Sequence, residues 1–152
     1  MPNTSATGDQ IVLEALSWVA TPYVHQASTK GAGVDCVGLI RGVGGALGIL
    51  DVSPEAWAPY RRYGRLPNPR RFMQAVDRFL VPAAEKVHGG VAVFAWDAGM
   101  PMHLGILDNA GGAWRLVHAF QHRDFCVHHG LTPDWESRIE SLWTFPGHAS
   151  EV

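Results

Sequence analysis

The grammar of this chain changes at Gly90. Before it, three segments repeat apolar residues at helical spacing. After it come five short runs, VAVFAW, HLGIL, WRLVHAF, DFCVHH and RIESLWTF, each β-rich or alternating and each bounded by turn residues. Short consecutive strands with brief connections pair antiparallel, and helices grouped ahead of them must bury their apolar stripes against the sheet. The expected class is therefore α+β, with N-terminal helices packed on an antiparallel β-sheet. A length of 152 residues suits one domain, with its core between about residue 9 and residue 146.

Each of the three helical segments has a recognisable start or stop. Asp9 to Val19 places Ile11, Val12, Ala15, Leu16 and Val19 on one face, with Asp9 as a cap or first-turn acid and Thr21-Pro22 as the stop. Cys36 to Leu47 carries the stripe Cys36, Ile40, Val43 and Leu47. It also holds Gly38, Gly42, Gly44 and Gly45, which implies close packing against another layer because each glycine disfavours a helix by about 1 kcal/mol. Residues 51 to 67 read as irregular. Asn68 then caps a helix with Pro69 in its first position and Phe72, Ala75, Val76, Phe79 and Leu80 on its buried face.

Composition narrows the function. Twelve basic against fourteen acidic residues give a net charge of −2, which argues against binding nucleic acid by phosphate neutralisation. No apolar run is long enough to span a membrane. The N-terminal MPNTSATGDQ has neither a basic nor an apolar region of the signal-peptide kind, so synthesis in the cytoplasm is expected. The near-neutral average hides an arginine-dense stretch from Arg61 to Arg78, either a solvated face or a patch for an acidic polymer or partner protein.

Two cysteines and eight histidines hold most of the chemical potential. Cys36 follows a Gly-rich loop and opens a helix, where backbone N–H groups and the helix dipole favour a thiolate. A cysteine there, with a base and a group that orients the base, is what nucleophilic catalysis requires; the bland reading is a small buried residue. A two- or four-residue turn within Asn109-Ala110-Gly111-Gly112 would set His103 directly opposite His118 on one sheet face. Such a pair could be packed and satisfied, could ligate a metal, or could be a base and its orienter. His122, Cys126, His128 and His129 form a second group, but strand alternation puts Cys126 and His128 on one face and His129 on the other, a poor start for a tetrahedral metal site.

The segments TPYVHQASTKGAGVDCVGLIRGV, GGVAVFAW and MHLGILDNAGGAWRLVHAF together resemble the NlpC/P60 family of papain-like cysteine peptidases, which cut bacterial cell-wall peptides. They fall in the family's order over residues 21 to 120. The resemblance implies a papain-like fold with the nucleophile at a helix N-terminus. It implies Cys36 as nucleophile, His103 as general base and later acid, and His118 as the residue holding the His103 ring. By the same resemblance Tyr23 sits near the oxyanion or substrate, and Asp35 contacts the amino group of a stem peptide. Apart from the resemblance, His25, two residues after Tyr23 in the same loop, reads as a residue lining the cleft or as a plain polar loop residue.

The implied substrate is a peptidoglycan stem peptide, cut between γ-D-glutamyl and meso-diaminopimelate, with no metal or other cofactor required. Two positions depart from the family's pattern: Val37 follows the cysteine where Ser is usual, and Gly89-Gly90 replaces a Gly-Asp. The wording around Cys36 is most similar to peptidases encoded with the tail genes of phages and gene transfer agents, so delivery by a tail-like particle and contacts with its proteins are expected. Rival readings are an amidase, deamidase or acyltransferase on the same Cys-His core, a silent structural tail component, or a His/Cys metal module.

Overall fold

A computed structural model describes residues 5–60, 68–96 and 100–149, with the backbone alone at 100–102. In chain order it contains α1 (Gly8–Leu16), β1 (Ser28–Thr29), β2 (Gly33–Val34), α2 (Cys36–Ala46), α3 (Pro54–Trp57), α4 (Pro69–Phe79), β3 (Val81–Pro82), β4 (Val91–Trp96), β5 (Met100–Asp108), β6 (Arg115–Phe120), β7 (Phe125–Gly130), α5 (Pro133–Glu136) and β8 (Ile139–Thr144). Six strands form one antiparallel sheet in the order β3-β8-β4-β5-β6-β7. Each of the five strands expected from the runs after Gly90 is present.

The two sheet faces differ in what covers them. One packs Val91, Val93, Leu104, Ile106, Val117 and Ala119 against Ile11 and Ala15 of α1, Leu39, Ile40 and Val43 of α2, and Phe72, Val76 and Phe79 of α4. The other carries Ala92, Phe94, Leu107 and Leu116 beneath Trp114, Leu131 and Trp135. Period-two alternation sorts each strand between these layers.

Helix termini follow their capping chemistry. The cap of α1 is Thr7, and Asp9 is the acid of its first turn: Thr7 Oγ1 accepts from Gln10 N–H, and Gln10 Oε1 accepts from Thr7 N–H. That reciprocal pair starts the helix one residue before the expected point, and it ends at Leu16 in place of Val19 as the chain turns through Ala20 at φ 76°. Asn68 caps α4 through Arg71 N–H with Pro69 first in the helix, as the sequence predicts. Within the segment expected to be irregular, Ser53-Pro54 opens the short α3 by the same device. Arg61, Arg62 and Arg65 lie outside the described residues, whereas Arg70, Arg71 and Arg78 are exposed on α4.

The glycines of α2 are there for close approach. A Cβ on Gly38 would stand 1.9 Å from the Ala27 carbonyl oxygen, and one on Gly42 would stand 2.2 Å from the Trp18 ring. The Ala27 carbonyl belongs to the loop that carries Tyr23 and His25 past the start of α2, and Ser28 Oγ donates to the Gly38 carbonyl. Gly38→Ala therefore has to displace backbone, not a side-chain tip. It is expected to lower stability by about 1–3 kcal/mol in urea unfolding, the usual cost of overpacking.

Candidate active site

Cys36 is the first residue of α2, and Asp35 is its cap. Asp35 is almost fully buried; its Oδ1 accepts the Gly38 N–H at 2.7 Å and its Oδ2 the Gln26 N–H at 2.7 Å. One carboxylate thus fixes both the start of the nucleophile helix and the preceding loop. His25 is half exposed, with Nδ1 3.9 Å from Asp35 Oδ2. Tyr23 is half-buried and tied to its neighbours by backbone pairing with Val34 and Asp124. Burial, then the neighbouring Cys36 and Asp35, push its phenol above the ordinary range. Tyr23 and Asp35 therefore lie beside Cys36, whereas His25 is placed against Asp35. A polar cavity of about 210 Å³ opens beside the helix start, lined by Gln26, Ser28, Asp35, Arg41 and Tyr60 among others.

The thiol state differs from the sequence expectation. The N–H groups of Leu104, Val37 and Cys36 face the sulfur and favour a thiolate, yet burial outweighs them and Asp35 adds to it, pushing the thiol up to about 12. Helix-terminus chemistry is present, but desolvation outweighs it.

Leu104, whose N–H meets that sulfur, follows His103 in β5. His103 Nε2 and His118 Nδ1 are 2.7 Å apart, with ring centroids 5.0 Å apart. Both histidines are buried on the same sheet face. The pairing that brings them together is not the one expected. Ile106 pairs with Val117, Leu107 with Leu116 and Asp108 with Arg115, a shift of two residues from direct His103–His118 pairing.

The turn is accordingly a six-residue loop, Asn109 to Trp114. Asp108 Oδ1 accepts the Ala110 N–H, and Trp114 is drawn onto the second core. A two-residue shift preserves the face, so the histidines are diagonal neighbours instead of opposite ones. Continuing the register sets His118 beside Gly105. A Cβ there would lie 2.4 Å from Leu116 Cδ1 and 3.2 Å from His118 Cβ, so the glycine makes room for the diagonal bond. Immediately before His103 the pairing steps from Phe94–His103 to Ala95–Pro101, a bulge that sets the angle at which His103 leaves the strand. Gly105→Ala is expected to fold but to displace His118 from His103; measured activity should fall by up to about a hundredfold, the cost of misplacing a reacting group by about 1 Å.

Trp135, from the short α5, covers this pair. Its ring lies 4.8 Å from His118 and 5.9 Å from His103, and Phe94, Trp96 and Phe120 complete the wall around His103. Burial holds both imidazoles below their ordinary value, and for His118 the neighbouring His103 adds to the effect. Cysteine and histidine are thus both neutral at rest.

The second histidine group divides as strand alternation predicts. Cys126 is buried in the helix-side core, while His128 bonds Asp108 Oδ2 at 2.9 Å. His122 is exposed beside Phe120. These side chains do not converge, and no group of three metal-ligating residues gathers among the described residues. His129 has a contact that sequence reasoning missed: its Nε2 is 2.7 Å from His118 Nε2. The missing signal was the β6–β7 register, in which His118 pairs with Val127 and His129 lies two residues on, on the same face.

No family model and no curated protein matches the chain. Solved structures do. An NlpC/P60 family protein from Bacillus cereus ATCC 10987 aligns at a TM-score of 0.66 and 18% identity, over 93% of this chain and 41% of that one. The chain has the NlpC/P60 fold. The NlpC/p60 domain of the peptidoglycan hydrolase SagA aligns at 0.54 and 20% identity, over 91% of this chain and 98% of that domain. An N-acetylmuramoyl-L-alanine amidase from Bacteroides uniformis ATCC 8492 aligns at 0.58 and 14%, over 90% of this chain and 96% of that one. The chain thus spans about two-fifths of the Bacillus protein and nearly the whole of the SagA domain.

Proposed function

We propose that the chain is a cysteine peptidase acting on peptidoglycan stem peptides, with Cys36 as nucleophile, His103 as base and His118 as its orienter. The observation that carries this reading is the buried His103–His118 hydrogen bond on the strand whose next N–H meets the Cys36 sulfur at a helix N-terminus. As Sγ bonds to the substrate carbonyl carbon, its proton passes to His103 Nδ1, the nitrogen turned away from His118. His118 Nδ1 accepts from the His103 Nε2–H and stabilises the imidazolium so formed. The carbonyl oxygen becomes an oxyanion near the Cys36 N–H and Tyr23. The intermediate then collapses to a thioester while His103 returns the proton to the departing amine. A water molecule, deprotonated by His103, releases the acid and restores the thiol.

Because the resting pair is neutral, the proton moves during attack and no standing ion pair is needed. In this reading Tyr23 and His25 act on the substrate side of Cys36, and Asp35 acts through the loop it anchors. Support for the wall substrate comes from the fold shared with SagA, a peptidoglycan hydrolase. We assign the scissile bond as γ-D-glutamyl–meso-diaminopimelate on the family resemblance, and delivery by a phage-like tail particle on the wording around Cys36.

The amidase neighbour favours a second reading, cleavage of the bond joining the peptide to the sugar. Digestion of purified peptidoglycan followed by mass spectrometry separates them. Fragments ending in γ-D-glutamate support the peptidase, whereas intact stem peptides freed from glycan support the amidase. Equal products from Cys36→Ala would remove Cys36 as nucleophile under either.

A further inference from the structure

The hydrogen bonds do not stop at His118. His118 Nε2 meets His129 Nε2 at 2.7 Å, and His129 Nδ1 meets the Gly130 carbonyl oxygen at 2.8 Å. A carbonyl oxygen only accepts, so His129 carries its proton on Nδ1. In the neutral ring Nε2 is then an acceptor, and the His118 Nε2–H must donate to it. That leaves a lone pair on His118 Nδ1, which obliges His103 to donate from Nε2 and to keep its own lone pair on Nδ1. One main-chain oxygen thus sets the direction of three successive hydrogen bonds.

Trp135 spans all three rings, 5.9, 4.8 and 5.8 Å from His103, His118 and His129, and packs against each of them. We propose that His129 is a positioning residue: by accepting from His118 it locks the inner imidazoles in the Nε2–H tautomer and keeps His103 Nδ1 open for the thiol proton. The inference rests on Cys36 and His103 being the reacting pair, but its test does not depend on the substrate.

The test combines two readouts on the full chain. Long-range ¹H–¹⁵N spectra of the labelled protein at neutral pH are expected to show Nε2–H on His103 and His118 and Nδ1–H on His129. An Nδ1–H on neutral His103 or His118 overturns the proposal without any variant. Iodoacetamide alkylation of Cys36, followed by peptide mass mapping, reports how readily the thiol gives up its proton. His129→Leu removes the acceptor; it should mix the His118 tautomers and slow alkylation about tenfold, within the range that misorienting a reacting group costs. His129→Gln offers a carbonyl in the same direction and should restore most of the rate. Unchanged tautomers and an unchanged rate in His129→Leu would make His129 a packing residue only. If the leucine variant does not fold, the native spectrum and the glutamine variant still decide. Native tautomers as proposed, with no cleavage of peptidoglycan, would overturn the proposed substrate and leave this inference standing.

Discussion

Cys36→Ala should remove stem-peptide release almost entirely, by at least about 10⁴-fold, because in the proposed mechanism nucleophile and base act as a unit and the thioester forms on Cys36. Folding should be unaffected. Cys36 is only half-buried at the first turn of α2, and alanine is a better helix former than cysteine. The cap that starts the helix belongs to Asp35 and survives the change. The informative control is Cys126→Ala, which loses a buried thiol from the helix-side core. It should keep activity while lowering the urea midpoint. Loss of activity in Cys126→Ala alone, with Cys36→Ala still active, would move the chemistry to the wrong cysteine and end this reading.

The largest effect on stability is expected from acid. His103 and His118 are both held below their ordinary value of 6.5 by burial, His103 down to about 3. The unfolded chain therefore binds more protons than the folded one once pH drops below 6.5, and stability rises with pH across that window. It is complete above about pH 7 and lost progressively as pH falls. Each histidine contributes a slope approaching about 1.4 kcal/mol per pH unit, so the pair approaches about 2.7.

Between pH 6 and 4.5 this loss precedes protonation of most carboxylates. Chemical denaturation at half-unit steps from pH 7.5 to 4.5 measures it. His118→Leu should roughly halve the slope while lowering activity sharply, since the leucine needs no proton but cannot hold the His103 ring. A slope unchanged in His118→Leu would show that the acid sensitivity arises elsewhere.

The histidines also show where sequence reasoning reaches its limit. Alternation is local, so the faces of His103, Cys126, His128 and His129 are legible from their positions in their strands. Register is not local, because it depends on how far the loop runs before the next strand pairs. Asn109 to Gly112 reads as a complete tight turn, but the Asp108 carboxylate and the burial of Trp114 extend it to six residues. The face survived because the shift was even. The same ignorance of register across residues 121–124 concealed the bond between His118 and His129.

Thiol chemistry divides along similar lines. Helix position and capping are short-range properties, so Asp35-Cys36 is recognisable as the start of a helix. Desolvation depends on every residue packed around the sulfur, and only the assembled sheet and helices supply it. By itself, then, the sequence determined the α+β class, the helix starts set by Asn68-Pro69 and Asp35-Cys36, and which strands present histidines to which face, because these rest on propensity, capping and periodicity within a few residues. Tertiary structure alone decided the diagonal pairing of His103 and His118, the third histidine behind them and the neutral resting state of the site. Those depend on strand register and on burial, which are properties of segments that meet only after the chain has folded.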